Sequence, residues 1–501
     1  MTRRTAATSI LLLVICFAIA GALHAPAVAG VSHPGKLKYG ELKFEIPKAD
    51  AYRHTLSNGM VVYIAEDHTL PLVNVQVFVR AGAFLDPKDK PGIADMTGTM
   101  LREGGTTNLT AEQFDEKADF LAARIGSYGG NDRSGASLNA ITQQLGPSLD
   151  LLFDMIKNPG FQQSRLDVEK GNEIESMKQR NDDADDILSR EWDWLMYGED
   201  HFTTRELTAA EMGAITRDDL AAFHGSYWTP ANMMLAVSGD VTPTSFLADL
   251  ERRFAGWKSE GPKVPWPPDP PSHMVKPGLY HVEKDIPQGK ASIGHLGIKR
   301  DGWENPDYFA LSVMNDILGG GGFTSRITKR VRSDEGLAYG AGSSFGIGNY
   351  WPGVFHMGYA SKNATVAFAA KICVEEVAKI RSTPASEDEM KTSKNSFIET
   401  FPRSFESPAS IVGNFASDEY IGRPHSYWDR YRDNIRKVTA ADVQRVARTY
   451  LQPDKLIFLF VGKWSEMEPG DPNGKASMKD FYGGQVTHLP LRDPLTLKPM
   501  P

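Results

Sequence analysis

Two polar side chains with a short, fixed spacing are the first candidates for chemistry. Arg332 and Tyr339 lie seven residues apart. They follow a run of four glycines, Gly319, Gly320, Gly321 and Gly322. A guanidinium and a phenol both donate hydrogen bonds, and glycines permit close approach by a peptide. The spacing alone leaves open that Arg332 is solvated or ion-paired beside Asp334 and Glu335, that Tyr339 packs in a strand, and that the glycines form a flexible turn.

Other metal or nucleophile signatures are not recognisable. The histidines never pair at i, i+3 or i+4, the spacing with which two imidazoles on one helix face share a metal ion. No spacing typical of a Ser/His/Asp hydrolase is found either. A stand-alone enzyme with an active site of its own is therefore the weakest hypothesis.

The elements that must position the candidate residues repeat within the chain. The two copies keep a constant offset of 223 residues, and Ile215-Thr216, Asp219-Leu220, Tyr227, Pro230 and Gly239 match Val438-Thr439, Asp442-Val443, Tyr450, Pro453 and Gly462. Each copy predicts a capped helix that begins after Thr216 or Thr439. A proline break and an apolar strand follow, at 233–237 and at 456–461.

The first half of the chain mixes helices and strands. Four valines, at 73, 75, 77 and 79, alternate with Asn74, Gln76, Phe78 and Arg80, which predicts a strand with one apolar face. Thr110 and Gln113 form a capping box that opens a helix. A further helix is predicted around Leu149 and Ile156, where apolar residues recur at helical spacing.

The N-terminus is typical of a secretory signal peptide. Arg3 and Arg4 precede an apolar run, and Ala27-Val28-Ala29 offers a cleavage site, so residues 1–29 are predicted to be removed. The run is too short to span a bilayer, so we expect export without an integral membrane segment. Removal takes the net charge from -8 to -10, which argues against nucleic acid as a partner. Only Cys373 remains as a cysteine, so no internal disulfide is expected.

Proline-rich sequence at 261–271 predicts an extended linker. We place the linker at 259–277, between an N-terminal lobe at 30–258 and a C-terminal lobe at 278–465. A C-terminal arm at 466–501 completes the chain.

Short motifs are spread over residues 50–465, and we interpret them as one set. They are Leu56-Ser57-Asn58-Gly59-Met60, Arg80-Ala81-Gly82-Ala83, Pro91-Gly92-Ile93-Ala94, Glu103-Gly104-Gly105-Thr106, Gly135-Ala136-Ser137-Leu138-Asn139-Ala140, Arg180-Asn181-Asp182-Asp183 and the region from Gly319 to Tyr339. This set resembles the insulinase-like metallopeptidases of family M16, in particular the bacterial M16B type. The resemblance implies an α+β fold of two homologous lobes, each a mixed sheet with packed helices. Together the lobes form a clamshell that encloses a chamber for unfolded peptides.

The resemblance also shows what the chain lacks. Active members carry His-x-x-Glu-His on one helix, where two His bind zinc and the Glu activates water. Here Asp95 and Thr99 replace the two His, and Gly98 replaces the Glu. The third ligand of the family falls near Glu175 or Ser176. We therefore expect this chain to bind no metal and no other cofactor.

The resemblance implies a role for what the chain keeps. In zinc-bearing M16 assemblies an Arg and a Tyr seven residues apart reach the scissile carbonyl, and Arg332 and Tyr339 keep that spacing. They would stabilise the oxyanion, and the four glycines would bind substrate. The chain then resembles the non-zinc subunit of a periplasmic heterodimeric metalloendopeptidase, inactive alone, with zinc in a homologous partner that carries His-x-x-Glu-His. The alternative is a catalytically inert peptide-binding or structural M16 homologue.

Overall fold

The computed structural model describes residues 44–257, 262, 264–269 and 273–500. The chain divides into two compact units, Met1–Glu45 and Ile46–Pro501. Only Phe44 and Glu45 of the first unit are described, and neither lies in a helix or strand. The predicted signal peptide lies outside the described residues, as does part of the predicted linker. In the described part of the chain, no helix is both long and apolar enough to cross a membrane.

The first half of the larger unit is built on a six-stranded mixed sheet. Its strands are β1 (Arg53–Thr55), β2 (Val61–Glu66), β3 (Leu72–Val79), β4 (Arg124–Tyr128), β5 (Ser134–Ile141) and β6 (Met233–Gly239). They lie side by side in the order β1-β2-β6-β3-β5-β4. The strand predicted from alternating valines is confirmed as β3, because its four valines are buried whereas Asn74 and Gln76 are exposed.

The second half repeats this sheet. Its strands are β7 (Gly278–Glu283), β8 (Gln288–Leu296), β9 (Ile298–Lys299), β10 (Ala341–Phe345), β11 (Ile347–Gly348), β12 (Val354–Lys362), β13 (Ile457–Gly462) and β14 (Val486–Leu489). Six of them lie in the order β10-β12-β8-β13-β7-β14, while β9 and β11 form a separate pair. Read in reverse, the second sheet has the order β14-β7-β13-β8-β12-β10. In this order its strand directions match those of the first sheet except at one edge strand. There β1 runs antiparallel to β2, whereas β14 runs parallel to β7.

Helices pack on both sheets. Those of the first half are α1 (Ile93–Glu103), α2 (Ala111–Phe120), α3 (Leu145–Lys157), α4 (Gln163–Met177), α5 (Ala184–Tyr197), α6 (Ala209–Ala214), α7 (Arg217–Tyr227) and α8 (Pro243–Phe254). Those of the second half are α9 (Asp307–Asn315), α10 (Arg326–Thr328), α11 (Val366–Ser382), α12 (Glu387–Thr400), α13 (Pro408–Ile421), α14 (Tyr427–Lys437), α15 (Ala440–Tyr450) and α16 (Trp464–Met467). The predicted two-lobed α+β fold is confirmed.

The 223-residue repeat has a structural counterpart. Thr216 and Thr439 cap α7 and α15 with reciprocal hydrogen bonds to Asp219 and Asp442, as predicted. Each helix leads through a 3-10 turn into β6 or β13, whose ends differ from the predicted ones by at most two residues. At the same offset, α3, α4 and α5 correspond to α11, α12 and α13 within two residues.

Each half also places one helix on the sheet of the other half. In α5, Leu188 and Trp192 pack against Val282 and Leu459 of the second sheet. In return, α13 lies on β2 and β6 of the first sheet. Phe78, which the alternation assigns to the polar face of β3, is instead buried beneath Tyr420 of α13, with ring centroids 6.5 Å apart. Separating the halves would expose apolar surface on both sheets.

Candidate functional site

Helix α1 carries the three residues that align with the zinc motif. Its first turn is held by Asp86, whose carboxylate accepts hydrogen bonds from the backbone N–H groups of Gly92 (2.7 Å) and Ala94 (2.9 Å). Burial raises the pKa of Asp86 to about 7, even though these two bonds favour the charged form. The start of the helix is therefore fixed by a side chain from the preceding loop.

Gly98 leaves no room for a side chain. A Cβ atom at this position would lie 1.9 Å from the backbone nitrogen of Gly129 and 2.1 Å from the carbonyl carbon of Tyr128. The same segment also lies close to the first turn of the helix, because a Cβ atom on Gly129 would lie 2.1 Å from the carbonyl oxygen of Ala94. The hydroxyl of Ser127 donates to the carbonyl oxygen of Gly98 at 2.6 Å, which ties the segment to the helix. The backbone after β4 thus occupies the space that a general base at position 98 would need.

The remaining polar groups near α1 do not form a metal site. Desolvation, and then the charge of Glu173 on α4, raises the pKa of Asp95. Glu175, near which the resemblance places the third ligand, is an exposed residue paired with Lys178 at 2.6 Å. Within the described ranges, no three His, Cys, Asp or Glu side chains are placed to hold a metal ion. Because Thr99 and Gly98 offer no imidazole or carboxylate, these residues do not fit the zinc site of the family.

The four glycines of the second half differ in their surroundings. Gly319 is buried, and a Cβ atom there would lie 2.4 Å from the backbone nitrogen of Ser343 on β10. A Cβ atom on Gly321 would lie 2.8 Å from the carbonyl oxygen of Asp316. Gly322 has a positive φ of 61° and open space around it. Gly319 therefore serves close packing inside the lobe, whereas Gly320 and Gly322 are exposed.

Arg332 and Tyr339 are in direct contact. The Cζ atom of Arg332 lies 4.5 Å from the centroid of the Tyr339 ring and 4.5 Å from that of Phe323. The two rings are exposed, Tyr339 at 87% and Phe323 at 65%. Within the described residues Arg332 has no carboxylate partner, since Glu335 pairs with Lys475 at 2.6 Å. Within the described residues Arg332 is therefore half-buried and not ion-paired, and Tyr339 lies outside the strands.

Phe323 is the residue of this group to which sequence reasoning assigned no role. It stands directly after the glycines, nine residues before Arg332. That spacing matches neither a helical nor a strand period, so no pattern links the two side chains. The available signal was a large apolar residue beside a glycine run.

A second polar group lies in a cavity of 530 Å³ between α5 and the second sheet. There Nε2 of His356 lies 2.9 Å from the hydroxyl oxygen of Ser292, and Trp192 contacts the imidazole edge-on. Burial lowers the pKa of His356. In the described part of the chain no carboxylate bonds to its Nδ1 atom, so the pair lacks the third member that orients the base in a hydrolase triad.

Two models of one peptidase family match the chain. The model described as Insulinase (Peptidase family M16) matches residues 61–199. The model described as Peptidase M16 inactive domain matches residues 214–397. Together they span more than half of the chain and cover both α1 and the Arg332–Tyr339 pair.

Known proteins resemble the chain over most of its length. A Bacillus subtilis protein described as the uncharacterized zinc protease YmxG is 22% identical over 420 residues, which is 81% of this chain and 97% of the relative. A similarly described zinc protease of Mycobacterium tuberculosis is 24% identical over 413 residues, 80% of this chain and 90% of the relative.

Solved structures show the same fold. The crystal structure of a peptidase M16 inactive domain from Pseudomonas fluorescens has a TM-score of 0.72 at 24% identity and covers 82% of this chain and 97% of that one. The periplasmic protease PqqL of Escherichia coli has a TM-score of 0.68 at 14% identity, over 89% of this chain and 50% of that one.

Proposed function

Because the chain belongs to the insulinase-like peptidase family M16, we propose that it is the subunit of a two-chain metallopeptidase that does not bind the zinc ion. In this proposal a homologous partner carries His-x-x-Glu-His with zinc. This chain contributes Arg332 and Tyr339 to peptide hydrolysis and has no peptidase activity alone.

The proposal is supported most directly by a contrast between the two lobes. On α1, the position of the general base is filled by the backbone at Gly129, only 1.9 Å from where a Cβ atom would stand on Gly98. In the second lobe, the guanidinium of the half-buried Arg332 contacts the exposed ring of Tyr339. This contrast supports a chain that lacks the general base of the family and contributes hydrogen-bond donors from its second lobe.

The chemistry of the pair follows from its donors. A guanidinium has five N–H groups and a phenol has one O–H group, and all of them can donate to a carbonyl oxygen. As a peptide bond is attacked, negative charge grows on that oxygen, so fixed donors stabilise the transition state more than the substrate. Arg332 and Tyr339 would donate to this oxygen, and the metal of the partner would polarise the same carbonyl group.

The same proposal covers compartment and substrate. The N-terminal signal suggests export to the periplasm, and a structural relative, PqqL, is described as a periplasmic protease. Unfolded peptides are the proposed substrates, and the exposed Gly322, which has open space around it, leaves room for a peptide backbone near the pair.

The test uses a homologue from the same genome that retains His-x-x-Glu-His. The zinc-bearing protein is assayed on a quenched fluorescent peptide, alone and with the wild-type chain, and then with Arg332→Ala or Tyr339→Phe. We expect the wild-type chain to raise kcat, and each variant to lower the kcat of the complex about 100-fold, the usual cost of losing one oxyanion donor. Arg436→Ala, at an exposed arginine paired with Asp433 within α14, is the matched control.

Two results would refute this function. Equal activity of the zinc-bearing protein with and without this chain would favour the inert peptide-binding or structural homologue. Full activity of both site variants, with the complex intact by size exclusion, would show that Arg332 and Tyr339 take no part in hydrolysis.

A further inference from the structure

We infer that Phe323 is a positioning residue that holds the Arg332 guanidinium between itself and Tyr339. This inference rests on the proposed function, since it concerns how the proposed oxyanion donor is oriented. It identifies a third residue of the site, for which neither the motifs nor the comparisons suggest a role.

The first argument is the stacking geometry. Arg332 Cζ lies 4.5 Å from each of the two ring centroids, so both rings are within range of a cation–π contact. A guanidinium is planar, and its N–H groups point outward in that plane. Two rings over the guanidinium restrict its motion and leave its donors free.

The second argument is the contrast with neighbouring arginines. Arg326 is bound by Glu389 at 2.7 and 2.9 Å, and Arg330 by Glu375 and Glu376 at 2.9 and 3.0 Å. A carboxylate fixes a guanidinium by occupying its donors and neutralising its charge. In the described part of the chain Arg332 is held without a carboxylate, so its charge and its donors remain available to substrate.

The third argument is that the backbone fixes Phe323 at the surface. Gly322 turns the chain with a positive φ of 61°, and the hydroxyl of Ser325 donates to its carbonyl oxygen at 2.7 Å. Thr328 then donates to the carbonyl oxygen of Ala341 on β10 at 2.6 Å, which anchors the loop. An aromatic side chain left 65% exposed contributes little to the core, so packing alone does not account for its position.

The Tyr339 side of the stack is anchored in the same way. The backbone N–H of Leu337 donates to the carbonyl oxygen of Val331 at 2.8 Å, and Gly336 has a positive φ of 63°. The backbone segments that carry the two rings are therefore anchored on either side of Arg332. Removing Phe323 should loosen the guanidinium without unfolding the lobe.

The experiment compares variants of Phe323 in the complex with the zinc-bearing partner. We expect Phe323→Ala and Phe323→Leu to lower kcat about threefold with little change in KM, the size expected from one exposed cation–π contact. Phe323→Tyr and Phe323→Trp should retain wild-type kcat because they keep an aromatic ring. Phe120→Ala, another exposed phenylalanine in the other lobe, is the control and should have no effect.

A double-mutant cycle separates positioning from direct substrate contact. If Phe323 acts through Arg332, Phe323→Ala has no further effect in the Arg332→Ala background. An equal loss in both backgrounds, or wild-type kcat in Phe323→Leu, would overturn the inference. If Arg332→Ala impairs the complex and Phe323→Ala does not, this inference alone is refuted. If Arg332→Ala itself has no effect, the proposed function is refuted as well.

Discussion

Gly98→Ala tests whether the backbone closes the position that the resemblance assigns to a general base. In an ordinary helix interior, exchanging Gly for Ala stabilises the fold by up to about 1 kcal/mol. Here the new methyl group would stand 1.9 Å from the nitrogen of Gly129, whereas ordinary contact begins at 3.4 Å. The helix and the segment after β4 would have to separate by 1.5 Å, and both are backbone, so no flexible side chain can relieve the contact.

The magnitude follows from three contributions. Overpacking of this kind costs about 3 kcal/mol at the upper end of its usual range. The separation also strains the bond from Ser127 to the Gly98 carbonyl oxygen, which is worth about 1 kcal/mol. The helix propensity of Ala offsets about 1 kcal/mol. We therefore expect Gly98→Ala to lower the free energy of unfolding by about 3 kcal/mol.

Urea denaturation and calorimetry measure this effect, with Gly171→Ala as the matched control. Gly171 lies inside helix α4, and a Cβ atom there would meet nothing within 4 Å. The control should gain stability by about 0.5–1 kcal/mol. If Gly98→Ala proves as stable as Gly171→Ala, the segment after β4 does not close the position, and the steric argument against a general base there is wrong.

Three further predictions concern metal binding, pH dependence and the contact between the halves. Restoring the motif with Asp95→His, Gly98→Glu and Thr99→His should give a destabilised protein that binds no stoichiometric zinc by atomic emission, and a folded variant with one tight zinc would contradict this. Burial raises the pKa of Glu191 from 4.5 to about 7, so the folded state releases this proton at a higher pH than the unfolded state. The free energy of unfolding therefore falls as the pH rises from 4.5 to 7. Glu191→Gln should remove this loss. In urea denaturation, the free energy of unfolding of the variant should gain about 3 kcal/mol relative to that of the wild type from pH 4 to pH 8. A difference that does not change with pH would refute the assignment. Tyr63→Phe should lower stability by about 1–2 kcal/mol, because the buried phenol bonds a carboxylate of α13 at 2.5 Å, and an unchanged midpoint would show that this bond adds nothing.

Local patterns predicted the elements of this fold well. The capping boxes at Thr110, Thr216 and Thr439 each open the predicted helix, because a cap depends on residues within one turn. The two lobes followed from the repeat, and the family models agree with the resemblance in the motifs.

Features that depend on distant parts of the chain were not predictable. The exchange of α5 and α13 between the sheets has no sequence signal, because an amphipathic helix does not specify which sheet it covers. For the same reason, alternation placed Phe78 on the polar face of its strand although α13 buries it. The position of the third ligand near Glu175 or Ser176 stays a prediction, because counting residues does not give helix rotation. Glu173 of α4 is the acid whose charge raises the pKa of Asp95.

The candidate site likewise divides into residues that the sequence predicted and contacts that it did not. Arg332 and Tyr339 were found from their spacing and from the resemblance. The contacts of Arg332 with the rings of Tyr339 and Phe323 were found only in the structure. The sequence alone predicted that Asp95, Gly98 and Thr99 stand in place of the zinc motif. The closure of position 98 by the backbone at Gly129 was not predictable, because that contact joins segments about thirty residues apart.

Peptidase activity of the purified chain, measured alone with and without a metal chelator, tests the central claim most directly. We expect no cleavage of unfolded peptides above the blank in either condition, and chelator-sensitive cleavage once the zinc-bearing homologue is added. Chelator-sensitive cleavage by this chain alone, at a rate proportional to its concentration and with stoichiometric metal bound, would contradict the claim.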